Sequence, residues 1–284
     1  APDHSMELFL AHMALVDVSA GRFYFQERIN REGWDASAAS TELNLLNGPW
    51  SLQMRKTDPI ELHLAGGVHA DVLFDLQLTP EKPLVIFGEN GVSRKGADPT
   101  AASYYLTFPR LRTTGTLQVG EAKSNVSGES WMDHEISSSQ LSTGQVGWDW
   151  LSVQLNDGRE LMLYRLRLRD GSADPMSTLT WVSRDSTLQR APFDWKVMST
   201  WRSPATKAEY PARVRVTTRD PVSQKEVQLN IEPLVADQEL NGQLGGIPYW
   251  EGACRVSNGA GDEIGSAYME LTGYAKELRL DESH

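Results

Sequence analysis

Wherever apolar residues form a pattern along this chain, the pattern alternates. From Tyr164 onward, Tyr164, Leu166 and Leu168 are set against Arg165, Arg167 and Arg169, which is the signature of a β-strand that buries one face. Residues 214–219, 227–231 and 74–78 read the same way. Asn156-Asp157-Gly158 links the apolar run at 150–155 to the strand of the 160s, and the Asn258-Gly259 to Gly261-Asp262 stretch links strands around Trp250 and Tyr268. Both are hairpin signals. Helical signals are few: residues 99–103 suit a single turn, and residues 275–280 suit a short helix or the end of the last strand. Short strands separated by turns predict an all-β sandwich or barrel.

Several short patterns occur twice, in the same order. Leu76-x-Leu78-Thr79-Pro80 recurs as Leu229-x-Ile231-Glu232-Pro233, Tyr104-Tyr105 as Tyr249-Trp250, and Gly128-x-x-Trp131-Met132-Asp133 as Gly265-x-x-Tyr268-Met269-Glu270. Collinear matches of this kind argue for two copies of one β-rich unit. The expected division is residues 1–140 and 141–284. Gly147-Trp148-Asp149-Trp150 opens the second copy and has no counterpart in the first, so the first barrel is expected to lack its opening hairpin.

The chain has 284 residues, enough for two modest cores or one large one. Its formal charge of −11 makes nucleic acid and anionic membrane surfaces unfavourable partners, because both repel it at long range. Cys254 is the single cysteine, which excludes an internal disulfide and a thiolate metal cluster. No apolar stretch reaches the length of a membrane-spanning helix, and the first residues carry no secretory signal pattern.

The densest polar cluster is Trp131-Met132-Asp133-His134-Glu135. On a strand, Trp131, Asp133 and Glu135 share one face at about 6.5 Å spacing, and His134 faces the other way. A carboxyl held against an indole in an apolar cavity is a usable general acid near neutral pH. The same residues are also consistent with strand-end charges paired to arginines. Gly147-Trp148-Asp149-Trp150 and Tyr249-Trp250-Glu251-Gly252 repeat the theme of aromatics flanking one acid. Tyr105, Trp131, Trp148, Trp150, Tyr164, Tyr249 and Trp250 are therefore candidate walls for an apolar ligand, and Asp133, His134, Glu135, Asp149 and Glu251 candidate catalytic groups. Trp148 has a second reading as a barrel plug with Arg255 or Arg165 stacked on it. The Gly88 to Gly96 stretch lacks the Lys-Ser/Thr pair of a phosphate loop and reads as a structured loop. No Gly-x-Ser-x-Gly elbow and no zincin-type histidine pair occurs, so neither a metal site nor a hydrolase is expected.

Taken together, Ser93-Arg94-Lys95-Gly96, Ser103-Tyr104-Tyr105, Trp131-x-Asp133-His134-Glu135, Gly147-Trp148-Asp149-Trp150, Tyr210-Pro211, Asp237-Gln238-Glu239, Tyr249-Trp250-Glu251-Gly252 and Leu271-Thr272-Gly273-Tyr274 resemble the lipocalin-like hydroxyneurosporene synthase (carotenoid 1,2-hydratase) family. The resemblance is to its bacterial branch, named as the H component of an Att-type ABC transport system and often labelled predicted secreted hydrolase. It implies two tandem lipocalin-like (calycin) antiparallel barrels, although the family's opening Glu-Trp-Trp-Tyr strand has no counterpart here. For the hydratases it implies protonation of a terminal isoprenoid double bond and attack of water on the tertiary cation, with no cofactor. Asp133 or Glu135 would then be the acid, His134 a proton relay or water-orienting group, and Trp131, Trp148 and Trp250 the faces toward the cation. The partners it implies are a hydrophobic lipid or isoprenoid and the membrane components of an ABC system, at a periplasmic or extracellular location. An open cavity with a buried acid would favour an enzyme; a lumen filled with Trp and Leu would favour a non-catalytic accessory.

Overall fold

The computed structural model describes residues 7–137, 141–242, 244 and 247–278. Among these there is no helix; residues 98–101 form a turn, and residues 275–278 are neither helix nor strand. The remainder of the expected 275–280 element lies outside the described residues. Strands β1 (Leu8–Asp17) and β2 (Arg22–Arg31) make a two-stranded ribbon. A second sheet holds β3 (Ala36–Ala38), β4 (Asn44–Asn47), β5 (Trp50–Arg55), β6 (Glu61–Val68), β7 (Val72–Pro80), β8 (Val85–Phe87), β9 (Ser93–Arg94), β10 (Ala102–Val119) and β11 (Ala122–Ser137). A third holds β12 (Gln145–Leu155), β13 (Glu160–Leu168), β14 (Thr178–Val182), β15 (Leu188–Ala191), β16 (Phe193–Arg202), β17 (Glu209–Arg219), β18 (Glu226–Pro233), β19 (Glu239–Leu240), β20 (Tyr249–Ser257) and β21 (Glu263–Leu271). All named strand pairs are antiparallel. The fold is all-β and calycin-like.

The repeated patterns occupy matching places in the two larger sheets. β7, β10 and β11 are successive neighbours, and so are β18, β20 and β21. In each set the middle strand also pairs with a short extra strand, Tyr105 facing Phe87 of β8 and Trp250 facing Glu239 of β19. Trp131 and Asp133 of β11 thus correspond to Tyr268 and Glu270 of β21. Among the described residues β11 ends its sheet, whereas β21 continues into β12.

By packing, the chain forms two compact units, each assembled from several segments. One comprises Ala1–Glu81, Arg110–Ser130 and Gly242–Gly245; in it Trp50, Leu62, Val72, Leu78 and Leu111 are buried. The other comprises Lys82–Pro109, Trp131–Asn241 and Gly246–His284, and it carries the site described below.

The third sheet curls. β15 and β16 lie at opposite ends of its strand order, yet only Pro192 separates them in sequence. Residues from across the sheet, including Leu151, Leu163, Trp181, Val216, Ile231, Trp250 and Leu271, meet in one cluster on its inner face. That interior is filled. Alternation along β12 sends Asp149, Leu151, Val153 and Leu155 inward, and sends Trp148 and Trp150 to the other face. On that outer face Met162, Tyr164 and Leu166 pack with Val85, Phe87 and Tyr105. β13 is therefore buried on both faces, correcting the one-sided strand expected from its sequence. Its arginines misled that reading: Arg167 is buried because it is paired with a buried acid.

Candidate functional site

The outer face of β12 and β13 bounds a cavity of about 260 Å³, wholly within the second unit, lined by Lys95, Tyr105, Asp133, Glu135, Trp148, Trp150, Tyr164, Leu166 and Glu270. Each contribution follows from strand alternation. Trp131, Asp133 and Glu135 fall on one face of β11, and His134 is exposed on the other. Trp150 pairs with Tyr164 on one side and with Glu270 on the other, so all three share a face. Gly147 lies at a register irregularity in β12, and a Cβ there would run into the Thr272 carbonyl, so glycine permits the close approach that sets Trp148.

Asp133 accepts hydrogen bonds from the Tyr105 hydroxyl (2.8 Å), the Thr107 hydroxyl (2.5 Å) and the Trp131 indole N–H (2.8 Å). Trp150 in turn donates its indole N–H to the Tyr105 oxygen at 2.8 Å. Glu135 accepts from Ser103 at 2.5 Å and pairs with the Lys95 ammonium at 2.9 Å. That ammonium lies over the rings of Tyr164 (4.1 Å) and Tyr105 (4.7 Å), an arrangement that stabilises a buried cation. Trp148 donates its indole N–H to Glu270 at 3.0 Å. Glu251 sits directly across from Glu270 in the β20–β21 pair.

Burial sets the protonation of these acids. Asp133 and Glu270 keep some solvent contact as whole residues, but protein atoms crowd their carboxyls. Desolvation pushes Asp133 up to about 6, against its three hydrogen bonds, which favour the charged form. Desolvation, then the neighbouring Glu251 charge, pushes Glu270 up to about 8, with the Trp148 hydrogen bond opposing. Desolvation likewise pushes Glu251 up to about 7, with Tyr268 opposing. At neutral pH Glu270 is therefore mainly a neutral acid and Asp133 mainly a carboxylate. Two carboxyls held in opposite states within one cavity can divide acid and base work.

Of the candidate residues, the structure brings Asp133, Glu135, Tyr105, Trp148, Trp150 and Tyr164 to the cavity. Trp131 stands behind, edge-on to Trp150 at 6.3 Å. Other placements differ from expectation. Trp250 is buried in the inner core, donating to the Ala236 carbonyl at 2.8 Å, so it does not share a space with Trp131 and Trp148. Asp149 is fully buried on the inner face, bound by Arg165, Arg167 and the Tyr274 hydroxyl. Trp148 is not the plug; a Trp–Arg stack occurs instead at Trp181, with Arg159 at 5.2 Å. Tyr249 and Glu251 share the outer face of β20 but do not line the cavity. Lys95 and Glu270 were not singled out from sequence. Aligning the repeat signals Glu270, as the counterpart of Asp133; Lys95 lies in a loop without a chemical motif. Among the described residues no group of three His, Cys, Asp or Glu side chains is placed to hold a metal.

An all-β calycin-like fold with acids set in an aromatic cavity defines the class of protein. The chain belongs to the AttH-like family, whose profile matches residues 3–274. It is similar to the crystal structure of a protein designated an AttH candidate from Nitrosomonas europaea, with 33% identity and a TM-score of 0.84 over 94% of this chain and 82% of that one. It shares its fold with kievitone hydratase from Nectria haematococca (15% identity, TM-score 0.70, 95% and 80% covered). The fold also extends to CghA bound to Sch210972 (10% identity, TM-score 0.56, 94% and 79% covered). A comparison with curated proteins finds no match.

Proposed function

We propose that this protein binds the end of a hydrophobic isoprenoid or lipid and adds water across its double bond, as a cofactor-free hydratase of the carotenoid 1,2-hydratase type. The observation that carries this reading is the meeting of Asp133 and Glu270, equivalent positions of the two repeats, in one aromatic cavity with their protonation states held apart. The Glu270 carboxyl gives its proton to the inner, =CH– carbon of the terminal double bond, and the π pair forms the new C–H bond. The resulting tertiary cation faces Trp148 and Trp150, whose ring faces favour positive charge, and the Asp133 carboxylate. Water adds to the cation through oxygen and passes a proton to Asp133. The sum is alkene plus water giving alcohol, without redox change. Lys95 and Glu135 neutralise one another, so the pair adds no net charge against the cation. At about 260 Å³, roughly nine water volumes, the cavity suits a chain end rather than a whole carotenoid.

Methylheptenone, a small ketone ending in an isopropylidene group, offers a soluble test. Incubated with the protein in water labelled with heavy oxygen, it is expected to yield a tertiary alcohol carrying the label. Asp133→Asn and Glu270→Gln should each reduce the rate by about 100-fold or more. An unchanged rate in the double variant would remove both residues from the chemistry.

The filled interior of the third sheet favours a second reading, in which the same cavity holds a ligand without turnover and the protein serves an ABC transport system. Both readings are proposed for a protein acting outside the cytoplasm, built from tandem barrels at residues 1–140 and 141–284.

A further inference from the structure

We propose that Glu251 reloads Glu270 with protons drawn from solvent through Tyr268, along a path on the side of Glu270 away from the ligand cavity. This inference rests on the hydration reading and addresses a step that reading leaves open. After one turnover Glu270 is ionised and Asp133 is protonated, so the site must be reset. Both acids line the cavity that the ligand fills, so a donor on the far side of Glu270 can reload it while that cavity is occupied.

The strand register supplies one. Glu270 has Trp150 on its β12 side and Glu251 on its β20 side. Trp150 lines the cavity and Glu251 does not. Directly opposed side chains on an antiparallel pair stand about 5 Å apart at Cβ, close enough for two carboxyls to meet or share one water. Tyr268 lies two residues before Glu270 on the same face of β21, is hydrogen-bonded to Glu251, and is 38% exposed. That residue-level exposure places Tyr268 between the pair and bulk water.

The groups facing Glu270 fit this role. Trp148 and Trp150 face it from β12, with Asp133, Glu135 and Lys95 across the cavity. Tyr268 is hydrogen-bonded to Glu251, and Tyr249 lies two residues before it on the same face of β20. The cation in this set, Lys95, is paired with Glu135, which leaves Glu251 as the acid beside Glu270 with a solvent route of its own. Burial raises both carboxyls above the ordinary range, and the Glu251 charge raises Glu270 further, so the two acids are matched closely enough for a proton to pass from neutral Glu251 to ionised Glu270. Glu251 gives its proton to the Glu270 carboxylate, and its own carboxylate takes one from water or a buffer acid by way of the Tyr268 hydroxyl. Charge and protons balance.

The test uses methylheptenone hydration and a titration. In weak buffer Glu251→Gln should lower the steady-state rate about tenfold, and added imidazole should restore it; Glu251→Asp should retain most of the rate. Tyr268→Phe should show a milder, buffer-sensitive loss. In the unliganded protein, Glu251→Gln should lower the titration midpoint of Glu270, because a neighbouring negative charge is gone. The inference is overturned by a full rate for Glu251→Gln in weak buffer, by a loss that imidazole does not restore, or by an unmoved Glu270 midpoint. Absence of hydration by the unaltered protein would instead sink the hydratase reading, while the titration still shows whether Glu251 acts on Glu270.

Discussion

Replacing Glu270 by Gln should stabilise the protein, increasingly so toward alkaline pH. The carboxyl is raised from its ordinary 4.5 to about 8, so the folded chain holds its proton more tightly than the unfolded chain does. The stability this group contributes is therefore fullest below pH 4.5 and is lost as pH rises through about 8. At pH 7 the unfolded glutamate is ionised while the folded one is largely neutral. At about 1.4 kcal/mol per pH unit, this difference costs the native state on the order of 3 kcal/mol. Glutamine has no proton to lose, and its side-chain oxygen can still accept the Trp148 N–H, so the substitution removes the cost and keeps the contact. Urea unfolding followed by tryptophan fluorescence at pH 5 and pH 8 measures the effect. The gap between Glu270→Gln and the unaltered protein should widen by a few kcal/mol between those two values. Parallel pH dependences would refute the claim that burial suppresses ionisation of this carboxyl.

Other expectations follow from the same contacts. Hydration should be bell-shaped in pH, rising as Asp133 ionises near 6 and falling as Glu270 loses its proton near 8. Trp148→Phe should move the alkaline limb upward, and Tyr105→Phe the acid limb upward, because each removes a hydrogen bond that favours the charged form; a pH–rate profile of each variant checks this. Asp149→Asn should destabilise by about 3–5 kcal/mol in urea titration, since it leaves Arg165 and Arg167 without their buried counter-charge. Cys254 is fully enclosed and its thiol is pushed up by burial, so it should resist alkylating reagents until the protein unfolds.

Strand periodicity makes much of this architecture legible in the sequence. The hairpins at Asn156-Asp157-Gly158 and Asn258-Gly259, the repeated Leu-x-Leu/Ile-x-Pro strands, and the shared face of Asp133 and Glu135 all occur in the structure. What alternation could not supply was direction. It separates the two faces of β12 without saying which turns inward, and so Trp148 and Trp250 were assigned to one space although they lie on opposite faces. Arg165 and Arg167 suggested a solvated face, whereas a buried Asp149 pulls both inward; that long-range pairing leaves no local trace. Lys95 reaches the cavity from the end of β9, held by β9–β10 pairing and by its own bonds to Ala101 and Gln145, contacts set by the fold. Glu270 was within reach, since the repeat already aligned it with Asp133, and structural equivalence proved more informative than the density of charges around residue 133.

The proposed chemistry depends most on the separation of the two cavity acids. Carbon-detected NMR titration of the side-chain carboxyls, assigned with Asp133→Asn and Glu270→Gln, measures it directly. The predicted result is Glu270 titrating near 8 and Asp133 near 6. Both carboxyls titrating together near the ordinary value of about 4 would contradict the division of acid and base on which the proposed chemistry is built.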